Sequence, residues 1–279
     1  MALELDGSYA KLDWAEQHLD ELQGKLGTGV GKEPYRVRSE FYPEADVLVG
    51  RLIIPTPPLW GVMTGNIIHN ARSALDYMVR QLVRQAGNVP KDGPGGNQFP
   101  IFDMRPDAGF TKRVRNSMLA GVEDSDRAAI KRLQPYVTAN YPDLPPNPLS
   151  DLAALSNVDK HQRLVSSVLN PMAGHRVSGK LRFSQGVQEV VDHHFAALTT
   201  LKDGAVFAWA EIVRNGATEP KMYVDANMTL QVGLEDGRNL GVTLAVLLNS
   251  TRMILDAFAS GAPEWLSLRR ENPPTVVLF

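Results

Sequence analysis

Two polar segments of this chain hold the residue types from which a catalytic site could be built. They run over residues 65–77 and 155–164, inside stretches whose pattern is otherwise that of packed helix. A histidine beside a carboxylate can move protons when its pKa lies near the working pH and the two groups are within hydrogen-bond reach. His161, His69 and Asp76 are therefore the candidate catalytic or metal-binding groups.

The same segments carry amide and charged side chains suited to binding a small ligand. Asparagine is a poor helix former. Its presence within a predicted helix indicates a hydrogen bond of its side chain, either in a polar core network or with a ligand. The candidate ligand-binding residues are Asn66, Asn70, Arg72, Asn157, Asp159 and Lys160.

A purely structural interpretation competes with the functional one in the first segment. An apolar face centred on Ala71 leaves a polar stripe on the opposite side of the helix, at positions i, i+3, i+7 and i+11. The stripe consists of His69, Arg72, Asp76 and Arg80. It is typical of a solvated face on which Arg72 and Asp76 pair at i, i+4, and it also fits a helix that turns this side toward a cleft.

The second segment places His161 among aliphatic residues, on the inward face of a predicted helix over 149–170. The apolar face of that helix switches near Ser156 and Asn157, so the helix is either buried on two sides along its length or broken there. A buried histidine needs a partner, because burial disfavours its charged form. Asp76 is the candidate partner if its own helix turns that side inward.

Hydrophobic periodicity predicts the elements that must position these residues. Helices are predicted over 8–26, 59–86, 107–118, 124–133, 149–170 and 240–259. Strands are predicted over 35–42, 46–54, 177–183, 195–201, 205–213 and 222–234. Ser8 and Asn239 are the N-cap candidates of the first and last helices, and Gly27 and Gly261 are their predicted ends.

The order of these elements predicts an α+β fold in which a helical bundle packs against an antiparallel β-sheet. We expect the whole chain, residues 1–279, to be a single domain. Its helical part covers 1–172 with a hairpin at 35–54, a β-meander follows at 177–235, and a closing helix spans 239–260.

The composition excludes several classes of site. The chain has no cysteine, which rules out disulfides, thiolate zinc sites, iron–sulfur clusters and cysteine nucleophiles. The sequence also lacks a Walker loop, a His-Glu-x-x-His motif, a Gly-x-Ser-x-Gly elbow and an EF-hand loop. We therefore expect no cofactor and no dedicated metal site.

Charge and hydropathy define the expected partners and compartment. With 29 basic and 31 acidic residues the net charge is −2, which gives no strong signal for nucleic acid. The most apolar stretch, residues 240–258, is interrupted by polar residues, and no signal peptide is readable. We therefore expect a cytoplasmic protein without a membrane partner.

Four sequence blocks resemble a family of uncharacterised bacterial proteins. The blocks are residues 70–76 (NARSALD), 97–101 (NQFPI), 133–136 (LQPY) and 156–161 (SNVDKH). In that family such blocks occur in this order within a helical pattern, here spanning about residues 5–170. The resemblance implies a fold but no established activity.

A looser similarity is to the HEPN superfamily of helical domains, which often act as metal-independent RNases. Those RNases use an arginine followed after four to six residues by a histidine (RxxxxH). No arginine stands at that distance before any of the six histidines of this chain. The similarity therefore implies a helical arrangement and not the RNase motif.

Two functions follow as hypotheses from the sequence. The first is a small-ligand or partner-binding module that forms a homo-oligomer, as the heptad-like first helix and the apolar C-terminal tail indicate. The alternative is a hydrolase or nuclease acting on nucleic acid or a phosphoester. Its acid–base or metal-binding groups would be His161, His69 and Asp76.

Overall fold

The computed structural model shows a mixed α+β fold, as predicted. It describes residues 3–29, 36–53, 58–93, 95–104, 114, 116–139, 146–160, 168–171, 178–195, 204–216, 219–227, 230–234 and 238–261. The helices of the described residues are α1 (Asp6–Gly29), α2 (Pro58–Gln85), α3 (Asp124–Arg132), α4 (Pro135–Thr138), α5 (Pro148–Lys160) and α6 (Leu240–Ala259). The strands are β1 (Arg36–Tyr42), β2 (Val47–Ile53), β3 (Val168–Pro171), β4 (Ser178–Phe183), β5 (Val187–Phe195), β6 (Val206–Arg214), β7 (Met222–Asn227) and β8 (Leu230–Gly233).

The chain divides into two compact units. The first, called the helical unit, comprises Met1–Leu19, Met63–Leu164 and Leu244–Phe279. The second, called the sheet unit, comprises Asp20–Val62 and Val165–Thr243 and carries all eight strands. Both polar segments singled out above belong to the helical unit.

Helix α2 is the central element of the helical unit. Its predicted apolar face is confirmed, because every residue of that face is at most 2% exposed: Ile67, Ala71, Leu75, Met78 and Leu82. The helix ends where Gly87 takes a positive φ of 75°, a conformation that glycine adopts at no steric cost. The regular apolar spacing thus fixes which side of α2 is left for polar residues.

Replacing Leu75 by alanine is expected to lower the free energy of unfolding by roughly 2–5 kcal/mol. Leu75 is fully buried, so the change removes packed methyl groups and leaves a cavity. Urea titration of the purified variant measures the effect. Arg84→Ala, on the exposed side of the same helix, serves as the control and is expected to change stability by less than about 0.5 kcal/mol. Equal values for the two variants would contradict the assigned helix face.

Helix α6 is tied to α1 within the helical unit by charged and polar contacts. Arg252 donates to Glu16 Oε1 and Oε2 at 3.0 and 2.8 Å and to Asp13 Oδ1 at 2.6 Å. The hydroxyl of Tyr9 donates to Asp256 Oδ1 at 2.7 Å. Burial, followed by this hydrogen bond, raises the pKa of Tyr9 to about 12. These contacts align the two helices along their partly exposed sides.

The sheet unit contains an antiparallel four-stranded sheet in the order β1-β2-β6-β5. The predicted hairpin of β1 and β2 is confirmed, with Arg36 opposite Ile53 and Tyr42 opposite Val47. Gly50 lies in β2 where a Cβ atom would come within 2.9 Å of a Val37 methyl group. A side chain at that position would therefore displace its neighbours.

Two further pairs of strands lie outside the four-stranded sheet. β3 pairs with β8, and β4 pairs with β7, both antiparallel. The strands consequently do not follow one another as a meander. The single strand predicted over 222–234 is wrong, because β7 and β8 occupy this stretch separately and pair with different partners. Of the strand predicted at 195–201 only Phe195 is described, as the last residue of β5, which pairs with β6; residues 196–201 lie outside the described residues.

The long helix predicted over 149–170 is confirmed up to residue 160 and wrong at residues 168–170. α5 covers Pro148–Lys160, and Val168–Pro171 form strand β3. Residues 161–167 lie outside the described residues. A short apolar run rich in valine suits a strand as well as a buried helix, and periodicity alone does not separate the two.

The ends of the first and last helices test the capping predictions. Asn239 Oδ1 accepts from the backbone nitrogen of Val242 at 2.9 Å and caps α6, as predicted. Gly261, with a φ of 66°, follows the end of α6. Ser8, by contrast, lies inside α1, which begins at Asp6 and ends at Gly29 rather than at Gly27.

Helix α6 is long and apolar enough to cross a membrane by length and composition alone. It is the one helix of this kind among the described residues, and half of its most apolar stretch is buried inside the protein. A core helix of a soluble protein passes the same test. Most of the helix predicted at 107–118 and the apolar tail behind the oligomer prediction (residues 262–279) lie outside the described residues.

Candidate functional site

The polar stripe of α2 faces the segment that follows the helix. Asp76 Oδ1 accepts a hydrogen bond from the backbone nitrogen of Phe99 at 2.8 Å. Arg72 donates to the carbonyl oxygen of the same residue and lies 3.5 Å from Asp76 Oδ1. Arg80 Nη1 forms an ion pair with Asp92 at 2.6 Å. Most of the stripe therefore contacts the segment 88–103 and is not simply solvated.

Arg72, Asp76 and the backbone of Phe99 form a unit that we call the Phe99 anchor. Only 14% of the Arg72 side chain is exposed, and burial lowers its pKa while the charge of Asp76 opposes that effect. The side chain of Phe99 is fully buried. The anchor thus gives hydrogen-bond partners to both the backbone N–H and the backbone C=O of a buried residue that belongs to no strand or helix.

Asn97 makes a second set of contacts two residues earlier. Its Oδ1 accepts from the backbone nitrogen of Lys91 at 2.7 Å. Its Nδ2 donates to the carbonyl oxygens of Met118 and Ala120 at 3.2 and 2.9 Å. Asn97 is only 6% exposed, so these bonds replace water and join two loops.

Gln134 makes the third set of contacts, from the end of α3. Its Oε1 accepts from the backbone nitrogen of Phe102 at 3.1 Å. Its Nε2 donates to the carbonyl oxygens of Pro100 and Ile130 at 2.9 and 3.0 Å. All polar atoms of this buried side chain are hydrogen-bonded, which is the normal state of a buried amide.

Three of the four blocks that carried the family resemblance meet in these contacts. Residues 70–76 supply the anchor, residues 97–101 are the segment that is held, and residues 133–136 hold it from the other side. Of the fourth block, Ser156 is buried and Asn157 is exposed. The polar residues of these blocks therefore have a structural role in positioning residues 97–102.

The predicted catalytic residues have different surroundings. His69 is exposed and its Nε2 lies 3.4 Å from Ser73 Oγ. Asp76 holds Phe99 through one carboxylate oxygen, as described above. His161 lies outside the described residues. The grouping of His161, His69 and Asp76 into a catalytic centre stays a prediction.

The predicted ligand-binding residues do not come together as one lining surface among the described side chains. Asn70 Nδ2 donates to the carbonyl oxygen of Asn66 at 2.8 Å, the backbone hydrogen bond expected of asparagine within a helix. Arg72 belongs to the Phe99 anchor, and Asn66 and Asn157 are exposed. The side chains of Asp159 and Lys160 lie outside the described ones. Arg72 thus has a role that the spacing did not predict.

A cavity of about 340 Å³ lies beside the segment held by the anchor. Its lining is mainly apolar and comes from stretches far apart in the sequence. The apolar lining residues include Pro100, Phe102, Leu119, Ala128, Ile130 and Tyr136. No sequence spacing predicts this cavity, because its walls come from the 99–102 segment, the turn before α3, α3 itself and α4.

The polar groups on the cavity wall differ in whether they already form hydrogen bonds or ion pairs within the protein. Arg127 donates to Asp124 Oδ1 at 2.7 Å and to the carbonyl oxygen of Leu119 at 3.2 Å. The amide of Gln134 is fully used, as described above. Lys131 is exposed, and within the described part of the chain it makes no ion pair. It is therefore the available charge at the cavity.

Metal ligation finds no support among the residues that the structure describes. No group of three or more histidine, aspartate or glutamate residues there is arranged to hold a metal ion. His194 on β5 pairs with Asp192 at 3.1 Å and packs against Trp209. This histidine–carboxylate pair is exposed on a sheet and has two members only.

Comparison with known proteins gives no relative from which an activity could be carried over. No family model, no curated protein and no solved structure matches this chain. The site must therefore be argued from its own geometry.

Proposed function

We propose that this chain is a small-ligand-binding module and that the cavity beside α3 is its binding site. The observation that carries the proposal is a mainly apolar cavity of about 340 Å³ with few polar groups. Small-molecule sites commonly enclose roughly 300–1,000 Å³ behind apolar and aromatic walls. The volume suits a ligand of modest size rather than a large cofactor.

The hydrogen bonds around the cavity support a site that exists before any ligand arrives. Gln134 joins the 100–102 wall to α3, and Arg127 joins α3 to Leu119 on the next wall. The Phe99 anchor fixes the start of the first wall. Walls held in this way lose little further entropy on binding, and that favours affinity.

Binding fits this cavity better than catalysis does. Among the described residues its lining contains no histidine, and the carboxylate of Asp124 is paired with Arg127. General acid–base chemistry needs a proton-transfer group that is available to the substrate. The hydrolase or nuclease alternative rests on His161, His69 and Asp76. Asp76 helps to hold a cavity wall, His69 is exposed, and His161 lies outside the described residues.

Octan-1-ol is expected to bind the protein and raise its melting temperature, because its alkyl chain can leave water for the cavity. Ala128→Trp should weaken this binding at least about tenfold, which corresponds to about 1.4 kcal/mol. Ala128 is an exposed residue of α3 that also lines the cavity. A tryptophan there can fill the cavity from its edge without displacing the core.

The control for this experiment is Ala154→Trp. Ala154 is an exposed alanine on α5 of the same helical unit and is not part of the lining. This variant should bind octan-1-ol like the wild type in isothermal calorimetry. Unchanged binding in Ala128→Trp, or no binding in the wild type, would contradict the proposed site.

A further inference from the structure

The charged residues along the cavity wall are distributed asymmetrically, with acidic residues at one end of α3 and basic residues at the other. Helix α3 carries Asp124 and Asp126 in its first turn and Lys131 and Arg132 in its last turn. Two of these, Asp124 and Lys131, line the cavity at opposite ends of the helix segment that forms its wall. The cavity therefore has an acidic end and a basic end with apolar residues between them.

The acidic end is largely neutralised by protein groups. Asp124 pairs with Arg127 at 2.7 Å, and this arginine lines the cavity too. The two charges offset each other and leave little field for a ligand. The basic end is different, because Lys131 is exposed and no carboxylate of the described residues lies within ion-pair distance of it.

The formal charges of the ionisable lining groups determine whether the cavity favours a negatively or a positively charged ligand. Asp124 contributes −1, while Arg127 and Lys131 contribute +1 each, so the lining residues that the structure describes sum to +1. The C-terminal end of a helix contributes a partial charge of about −0.5. The full charge of Lys131 exceeds this, so the field at the basic end favours an anion.

We infer that the cavity binds a small amphiphilic carboxylic acid, with its apolar body between the walls and its carboxylate beside Lys131. This inference rests on the proposed function and names the ligand class for the same cavity. The alkyl or aryl body accounts for the apolar walls formed by residues such as Phe102 and Ile130. Lys131, the available cation among the described lining residues, accounts for one negative charge at one end.

The ligand class is tested with three compounds that share one apolar chain: octanoate, octan-1-ol and octylammonium. Octanoate should bind about five- to tenfold more tightly than octan-1-ol, the effect expected for one charge pair near a protein surface. Octylammonium should bind more weakly than octan-1-ol. Isothermal calorimetry at low ionic strength measures all three dissociation constants, and the advantage of octanoate should shrink with added salt.

Substitutions of Lys131 test whether this residue causes the preference for a carboxylate, independently of whether the cavity binds an apolar chain. Lys131→Gln should remove the preference, so that octanoate and octan-1-ol bind the variant with similar dissociation constants. Lys131→Glu should reverse the preference toward octylammonium. Arg84→Gln removes the same charge from an exposed position of α2 outside the cavity lining and should keep the preference for octanoate.

The possible failures of the two proposals are distinct. If octan-1-ol binds in the cavity and octanoate binds no better, the ligand class is wrong and the proposed function stands. A preference for octanoate that survives in Lys131→Gln likewise overturns the ligand class. If neither compound binds the wild type, the proposed function fails and the ligand class fails with it.

Discussion

Arg72→Ala is expected to lower the free energy of unfolding by about 2–4 kcal/mol, somewhat less than the cost of removing one partner from a fully buried ion pair, because the pair is partly buried. The change removes the hydrogen bond that Arg72 donates to the carbonyl oxygen of Phe99 and the ion pair of Arg72 with Asp76. Phe99 is fully buried, so water does not readily replace the lost donor. Chemical denaturation followed by circular dichroism measures the loss.

A substitution of Asp76 separates the contribution of the Arg72–Asp76 ion pair to stability from that of the hydrogen bonds to the backbone of Phe99. Asp76→Asn keeps an oxygen that can accept from the nitrogen of Phe99, but removes the charge that compensates Arg72. A double-mutant cycle with Arg72→Ala and Asp76→Asn should give a coupling energy of about 1–3 kcal/mol. Additive effects of the two substitutions would mean that the residues act independently.

Arg80 provides a matched control on the same helix. Its ion pair with Asp92 is shorter, 2.6 Å against 3.5 Å for Arg72 and Asp76, but the side chain of Asp92 is 80% exposed. Exposed pairs of this kind contribute about 0–1 kcal/mol. Arg80→Ala should therefore change stability by less than about 1 kcal/mol. A loss as large as that of Arg72→Ala would show that burial does not distinguish the two arginines.

Local patterns predicted those parts of the fold whose determinants are close together in the sequence. The face of α2 follows from apolar residues three and four positions apart, and the β1–β2 hairpin follows from two adjacent strand patterns. The Asn239 cap is set by a contact three residues away. The partners of β7 and β8 are instead 39–49 and 59–65 residues away, so no local pattern indicates that this stretch must divide.

The Phe99 anchor shows how a site residue can be recognised by type and still be misread in role. The spacing of Arg72 and Asp76 predicted their proximity, but their common target lies 27 and 23 residues further on. One feature of the sequence indicates that Phe99 needs such partners. Phe99 precedes a proline, which favours an extended backbone, and an extended buried residue outside any sheet needs side-chain partners for its peptide groups.

The cavity could not have been predicted from the sequence, for a related reason. Its lining residues are spread over 100–136, and each of them reads by itself as an ordinary core or surface residue. The hydrogen bonds of Asn97, Gln134 and Arg127 bring the walls together. Buried amides between loops were thus the relevant sequence feature, rather than the histidines.

Asn97→Asp is expected to destabilise the protein by about 3–5 kcal/mol at pH 7, although it changes the volume of the side chain hardly at all. The amide nitrogen of Asn97 donates to the carbonyl oxygens of Met118 and Ala120. A carboxylate oxygen in the same position would face these oxygens as an unpaired buried charge, which is strongly unfavourable. A protonated carboxyl could still donate one hydrogen bond there.

The loss of stability in Asn97→Asp should therefore depend on pH. Burial among carbonyl oxygens raises the folded-state pKa of the new carboxyl above its unfolded value of about 3.9. The variant is then closest to the wild type below about pH 4 and loses stability as the pH rises through the folded-state pKa.

Asn88→Asp is the control, since exposed Asn88 also donates to a carbonyl oxygen, that of Gly121 at 3.1 Å. There water can solvate the charge, so the expected cost is about 1 kcal/mol or less at either pH. A cost for Asn97→Asp that is equally small and independent of pH would show that this amide does not hold the two loops together.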